Sequence, residues 1–186
     1  YGDKLSSVLD ITYRKPTGFA GNASASLLGG NLQLEGVTPN RLLSWNIGGR
    51  YRTNTYLLKS LDTQGEYRPS AMDLQSYLVF EISPKFRIEM LGNIANNKYL
   101  VIPATRETTF GTINNALRFF VYFDGQELMQ YNTFMGAISA TYRPNRKTRL
   151  KFISSAYRAD EQEIYTVQGQ YWIDQLEADL GKPNFG

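Results

Sequence analysis

The stretch Leu42-Leu43-Ser44-Trp45-Asn46-Ile47-Gly48-Gly49-Arg50-Tyr51 decides the fold. Leu43, Trp45, Ile47, Gly49 and Tyr51 form one alternating set, apolar or small. Leu42, Ser44, Asn46, Gly48 and Arg50 form the other, which is mostly polar. A period of two is the signature of a strand with one apolar and one polar face. Working outward, Leu32 and Leu34 against Asn31, Gln33 and Glu35 repeat it. So do Phe86, Ile88, Met90, Gly92 and Ile94 against Arg87, Glu89 and Asn93. Phe134, Gly136, Ile138, Ala140 and Tyr142 alternate with Thr133, Ala137, Ser139, Thr141 and Arg143. Adding Leu5–Arg14, Phe19–Leu28, Leu74–Ile82, Thr148–Arg158 and Ile164–Trp172 gives about nine strands. Helical periodicity is confined to Asn54–Leu61 and the last dozen or so residues. The expected fold class is all-β, an antiparallel up-and-down meander of long strands.

The connections fall into two classes. Lys15-Pro16-Thr17-Gly18, Thr38-Pro39-Asn40-Arg41, Ser83-Pro84-Lys85 and Arg143-Pro144-Asn145-Arg146-Lys147 are tight. The segments around Thr53–Asp73, Asn96–Glu127 and Ala159–Glu163 read as long and irregular. Tight and long connections alternate, so they belong at opposite ends of the sheet, the layout of an outer-membrane β-barrel. Strand length agrees, because a tilted strand needs about 9–11 residues to cross hydrocarbon. A soluble sandwich or lipocalin-like barrel also alternates. Its strands, however, average about 5–6 residues, and the polar second face here calls for water rather than a packed interior. Tyr13, Phe19, Phe80, Phe86 and Tyr142 flank the tight turns, as an interfacial aromatic girdle would; good strand propensity alone would also put Tyr and Phe in strands.

Composition excludes much chemistry. Among 186 residues there is no cysteine and no histidine, which removes disulfide scaffolds, zinc fingers, thiol nucleophiles and imidazole-based triads. The net charge of +3 is mild and interspersed, so no nucleic-acid partner is expected. No apolar run approaches the ~20 residues of a membrane helix. The chain opens on Tyr1-Gly2-Asp3 and closes on Lys182-Pro183-Asn184-Phe185-Gly186, and both ends read as cuts through a longer polypeptide.

Tyr1-Gly2-Asp3-Lys4-Leu5-Ser6-Ser7-Val8-Leu9-Asp10-Ile11-Thr12-Tyr13-Arg14 resembles the end of the plug domain of TonB-dependent outer-membrane receptors. Gly21–Leu28, Arg50–Leu58, Leu91–Tyr99, Arg106–Thr112 and Tyr122–Glu127 look like the Bacteroidetes-type branch of that family. The resemblance implies a plug end and plug-to-barrel crossing at residues 1–14, and the first barrel hairpins with their extracellular loops at 15–186. It further implies a fragment, since such barrels have about 22 strands. The implied function is uptake of a scarce solute (a siderophore, a glycan or similar) across the outer membrane of a Gram-negative cell. The implied partners are outer-membrane lipid, the remainder of the receptor chain, a small-molecule or glycan ligand, and a TonB-type energy-coupling protein that binds a segment lying elsewhere. Two other readings stay open: a soluble β-barrel or sandwich that binds a ligand, and a complete small outer-membrane barrel.

The segment Asn96–Glu127 is the expected ligand-facing loop. Tyr99, Arg106, Glu107, Phe110, Phe119, Phe120 and Tyr122 mix rings with charge, which suits stacking and charge-assisted hydrogen bonding. Within it, Asp124-Gly125 is expected to turn a hairpin between Leu117–Phe123 and Glu127–Tyr131. The plainer alternative is an extension of two strands above the membrane with its rings packed on one another. Carboxylates such as Glu107 with Asp124 or Glu127, and Glu161 with Glu163, supply no recognisable catalytic spacing. Asp62–Glu66 lacks the ligand spacing of a calcium loop. No enzyme, metal or cofactor is expected.

Overall fold

The computed structural model of the chain describes residues 11–60, 65–112 and 115–176. Among them, eight strands and one short helix follow in order: β1 (Ala20–Ser26), β2 (Gly29–Val37), β3 (Leu43–Thr53), α1 (Thr55–Lys59), β4 (Gly65–Ser83), β5 (Phe86–Pro103), β6 (Arg106–Thr112), β7 (Asn115–Tyr142) and β8 (Leu150–Gln175). The strands form one antiparallel, up-and-down sheet in the order β1-β2-β3-β4-β5-β7-β8, and it does not close into a barrel. β6 lies alongside the N-terminal half of β7, in line with β5. Between Val101↔Glu127 and Arg106↔Val121 the register slips by one residue, so Tyr122–Gln126 lack a partner in the β5–β6 line.

Several strands outrun their expected bounds. β7 carries 28 residues, about 90 Å at ~3.3 Å per residue, and pairs with β8 without a slip from Leu117↔Gln175 to Tyr142↔Leu150. The expected Asp124-Gly125 hairpin is therefore wrong. The turn signal was real, since Gly125 holds φ +104°, but Asp124↔Gln168 and Gly125↔Val167 keep the ladder intact, so the chain bends instead of reversing. The expected loops at Ala159–Glu163 and Asn96–Glu127 are likewise strand for most of their length, and the two expected C-terminal strands merge into β8. Part of the Thr53–Asp73 loop is α1 and the start of β4. Ile11–Arg14 is not strand, and the rest of the expected Leu5–Arg14 strand lies outside the described residues, as does the expected C-terminal helical turn. Pro69 sits inside β4, where its missing N–H costs no ladder bond to β3: β3 ends at Thr53↔Ser70, and only β5 continues alongside.

Following register across the sheet sorts every side chain to one of two faces. Near the tight turns, one face carries Leu32, Leu34, Leu43, Trp45, Ile47, Leu74, Leu78, Phe80, Ile88, Met90, Ile94, Phe134, Ile138, Tyr142, Leu150 and Phe152. The other carries Asn31, Gln33, Glu35, Asn46, Arg50, Asp73, Gln75, Tyr77, Glu89, Asn93, Thr133, Ser139 and Lys151. Burial runs opposite to that of a water-soluble domain. Ile47, Leu74, Met90, Ile94, Phe134, Ile138 and Phe152 are exposed, whereas Asn46, Asp73, Gln75, Asn93 and Thr133 are half-buried and Ser44 is fully buried. Among the described residues, Val79 is the one buried hydrophobic core residue.

Candidate functional site

The polar face is concave. A cleft of about 750 Å³ runs across β2 to β5, lined by Asn31, Gln33, Asn46, Arg50, Asp73, Gln75, Asn93 and Asn97. Polar side chains on successive strands reach one another: Asn31 Nδ2 donates to the Ser24 hydroxyl at 2.7 Å, and Gln33 Nε2 to Asn46 Oδ1 at 3.3 Å. Arg50 Nε donates to the directly opposed Asp73 carboxylate at 2.7 Å, neutralising both charges.

The chain ahead of β1 is pinned onto the same face. Tyr13 stacks on Tyr77 with ring centroids 5.0 Å apart, and Arg14 pairs with Glu35. Lys15 Nζ reaches Glu81 Oε1 at 2.8 Å, which also accepts from Arg87 Nε at 2.8 Å. Pro16, next in the chain, is fully buried. Tyr13 therefore leaves the expected aromatic girdle for the polar face. The other rings lie near the tight turns: Phe19 meets Trp45 at 6.4 Å, Phe86 meets Tyr142 edge-on at 6.5 Å, and Phe80 lies between those pairs on the apolar face.

The apolar face has a sharp upper limit. On β5 it runs from Ile88 to Ile94 and then gives way to Asn96 and Lys98. On β7 it runs from Tyr142 back to Phe134 and gives way to Asn132 and Gln130. On β8 it runs from Leu150 to Ala156 and gives way to Arg158, Asp160 and Gln162. Asn96 Nδ2 donates to Asn132 Oδ1 at 2.6 Å along that boundary. Nine residues, Phe134–Tyr142, measure about 30 Å along the strand.

Beyond the boundary, β6, β7 and β8 continue as a three-stranded blade on which the apolar face changes sides. There Phe110, Leu117, Phe119, Val121, Phe123, Tyr165, Val167, Tyr171 and Ile173 lie on the side that is polar lower down. The seven candidate ligand residues consequently divide between two faces. Tyr99, Arg106, Phe110 and Phe119 lie on the side continuous with the concave cleft; Glu107, Phe120 and Tyr122 lie on the opposite one. Arg106 and Phe120 cannot meet one ligand on one face. Glu107 is in an ion pair with Arg118 at 2.8 Å, and Phe120 stacks on Trp172 at 4.4 Å. For those residues the plainer reading, local packing, describes the structure. Phe119 also meets Tyr171 at 6.1 Å, but it shares a groove with Arg106. Tyr99 lies 6.2 Å from Tyr67, and desolvation, Tyr67 and Glu127 all push its phenol pKa up.

The concave amides were not among the expected site residues. Each appears in the sequence only as the polar half of an alternating strand, and nothing local separates a cleft-lining Asn from a solvated one. The register across four strands is what brings Asn31, Asn46, Gln75 and Asn93 together. No metal-binding cluster of acidic residues occurs among the described residues, and no helix there is long and apolar enough to cross a membrane. No protein-family model, curated protein or solved structure matches this chain.

Proposed function

We propose that the chain is a stretch of the wall of an outer-membrane β-barrel, belonging to a receptor that takes up a scarce solute. One observation carries the membrane part: exposed apolar side chains form a band nine residues long on β7, which would stand about 23 Å tall at the tilt of a barrel strand, bounded above by Asn96, Lys98, Asn132, Gln130, Arg158 and Asp160, while the reverse side of the same band is polar and half-covered. Hydrocarbon outside and water inside call for that arrangement, and outer-membrane barrels carry an apolar band of about 25 Å. Among the described residues the edges of β1 and β8, and the outer edge of β6, lack a partner strand, and β1 and β8 would pair with strands of the remaining polypeptide.

The surface supports the same reading. The chain exposes 14,210 Å², whereas a compact monomer of its mass exposes about 9,000 Å². A self-contained soluble domain would leave that excess, much of it apolar, against water.

The receptor part rests on the sequence resemblance to TonB-dependent receptors, on the strands that rise well above the band, and on the polar cleft below them. The remaining partners follow from that resemblance: lipid around the band, a solute at the blade end, and a TonB-type protein engaging a segment elsewhere in the polypeptide. The resemblance likewise makes residues 1–14 the plug end and the crossing to the barrel, and the pinned Tyr13 and Arg14, with Lys15 just beyond, suit a crossing from plug to wall.

This sequence holds no cysteine, so with any cysteine elsewhere in the polypeptide replaced by serine, single substitutions report position. In intact cells, a membrane-impermeant maleimide should label Ile173→Cys in the blade and leave Ile138→Cys and Phe134→Cys unlabelled, even after the outer membrane is permeabilised to the reagent. Equal labelling of Ile138→Cys and Ile173→Cys would overturn the proposal.

A further inference from the structure

The gap between β5 and β6 opens a groove of about 390 Å³ lined by Pro103, Arg106, Thr108, Phe119, Val121 and Phe123. Its walls are apolar apart from the Thr108 hydroxyl and one charge. Register leaves Arg106 as the one charged residue on this side of the blade among the described residues, from Arg106 to Thr112, Leu117 to Phe123 and Val167 to Gln175. The nearest carboxylate in sequence, Glu107, lies on the opposite face and is already paired with Arg118. Asp124 and Asp174 share that opposite face, and Glu127 on the groove side sits six residues along β7 from Val121, about 20 Å away. The Arg106 side chain, which is exposed, has no hydrogen-bond or ion-pair partner among the described residues.

A planar cation without a counter-charge, set against aromatic and aliphatic walls, is complementary to an organic anion: a carboxylate, sulfonate or phosphate carried on a flat apolar body. We infer that this groove is a binding site for such an anion, with the Arg106 guanidinium on the acidic group and Phe119, Val121 and Phe123 against the apolar part. The inference names the ligand chemistry for the uptake reading above and rests on that reading only for what happens after binding. The inversion of the apolar face supports it. A lipid-facing wall would keep its greasy side outward, whereas here most of the blade's apolar side chains, Phe120, Tyr122 and Trp172 excepted, lie on the side that continues into the concave cleft. Gly125, at φ +104°, lies within the unpaired stretch of β7 that borders the gap.

The test uses the whole native polypeptide in nanodiscs of zwitterionic lipid, with naphthalene-2-sulfonate as probe, and 2-methoxynaphthalene and 2-naphthylmethylammonium as neutral and cationic comparators. Equilibrium dialysis against empty nanodiscs gives each Kd. The sulfonate should bind about 10- to 100-fold more tightly than the neutral ring, the range of a charge-assisted hydrogen bond. Arg106→Gln should erase that preference without altering the Kd of the neutral ring, Arg106→Lys should retain part of it, and Phe119→Ala should weaken both ligands. Equal affinity for the three probes, or a preference that survives Arg106→Gln, overturns the site. Failure of the maleimide experiment with the anion preference intact would remove the membrane reading and leave the site standing.

Discussion

Placing a charge on the apolar band gives the most discriminating outcome. Met90 points from β5 between its cross-strand neighbours Leu78 and Ile138, with Ile88 one face position toward the tight turn and Gly92 and Ile94 beyond it. It is therefore near mid-height of the band, and its side chain is 42% exposed. If that face meets hydrocarbon, Met90→Lys costs about 2–4 kcal/mol, as lysine does at the midplane of membrane barrels. That is a drop of roughly 30- to 1000-fold in the folded-to-unfolded ratio. If the face meets water, replacing a residue this exposed shifts stability by no more than about 0.5 kcal/mol. Two controls set the depth and the side. Ile94→Lys lies at the upper limit of the band, where the cost falls to about 0–1 kcal/mol. Asn93→Lys is one residue from Ile94 but faces the polar cleft, and should be near neutral. The assay is reversible urea unfolding of the whole polypeptide from lipid vesicles, followed by tryptophan fluorescence. The expected order of destabilisation is Met90→Lys, then Ile94→Lys, then Asn93→Lys. A Met90→Lys cost within 0.5 kcal/mol of the Asn93→Lys cost would refute the placement of this face in lipid.

Two further outcomes follow from local geometry. A Cβ on Gly125 would come within 1.7 Å of the Thr166 carbonyl oxygen, at a φ of +104° that side chains rarely adopt. Gly125→Ala should therefore destabilise the blade by at least about 1–3 kcal/mol and speed hydrogen exchange at β8 amides 164–168. Gly136→Ala, in open space on β7, should leave that exchange unchanged. Hydrogen bonds from Arg68 and then Lys59 lower the Glu66 carboxyl pKa from its ordinary value of 4.5 to about 2. Because the folded-state pKa is depressed, the pinning of α1 to β4 is fully present above pH 4.5 and is lost as pH falls through about 2. A carboxyl-carbon NMR titration of Glu66 should show that low midpoint, and a midpoint near 4.5 would contradict the pairing.

The sequence was most legible where the two faces meet different environments. Leu42–Tyr51, Leu74–Ile82, Phe86–Ile94 and Phe134–Tyr142 were read as strands from alternation alone, and each falls on β3, β4, β5 or β7. Those are the segments in which apolar and polar positions separate cleanly. Alternation fades at Asn96-Asn97-Lys98 and at Gln130-Tyr131-Asn132, where both faces carry polar groups, and there strand was mistaken for loop. A paired ladder needs only backbone partners, which β7 and β8 supply to each other along their whole shared length. Composition does not reveal that continuity. The Asp-Gly dipeptide misled for a related reason. It specifies a local positive φ, and whether the chain then reverses depends on the neighbouring strand, which the dipeptide does not encode.

The candidate site was half legible for a reason that follows from the same geometry. Residue type singled out Arg106, Phe110 and Phe119, which register places on one face, but side-chain chemistry carries no face. One residue separates Phe119 from Phe120, and in a strand that single step moves a ring from the groove to the reverse side. The deciding information is phase: even positions of β7 are apolar between 134 and 142, and odd positions are apolar between 117 and 123. A single strand therefore presents its greasy side outward at one end and toward the cleft at the other. Such a reversal is expected where a strand leaves a medium that solvates apolar side chains and enters water, because above that point apolar groups are stabilised only by facing one another or a bound molecule. The phase change between Phe123 and Phe134 thus marks, from the sequence itself, the upper limit of the apolar band on β7.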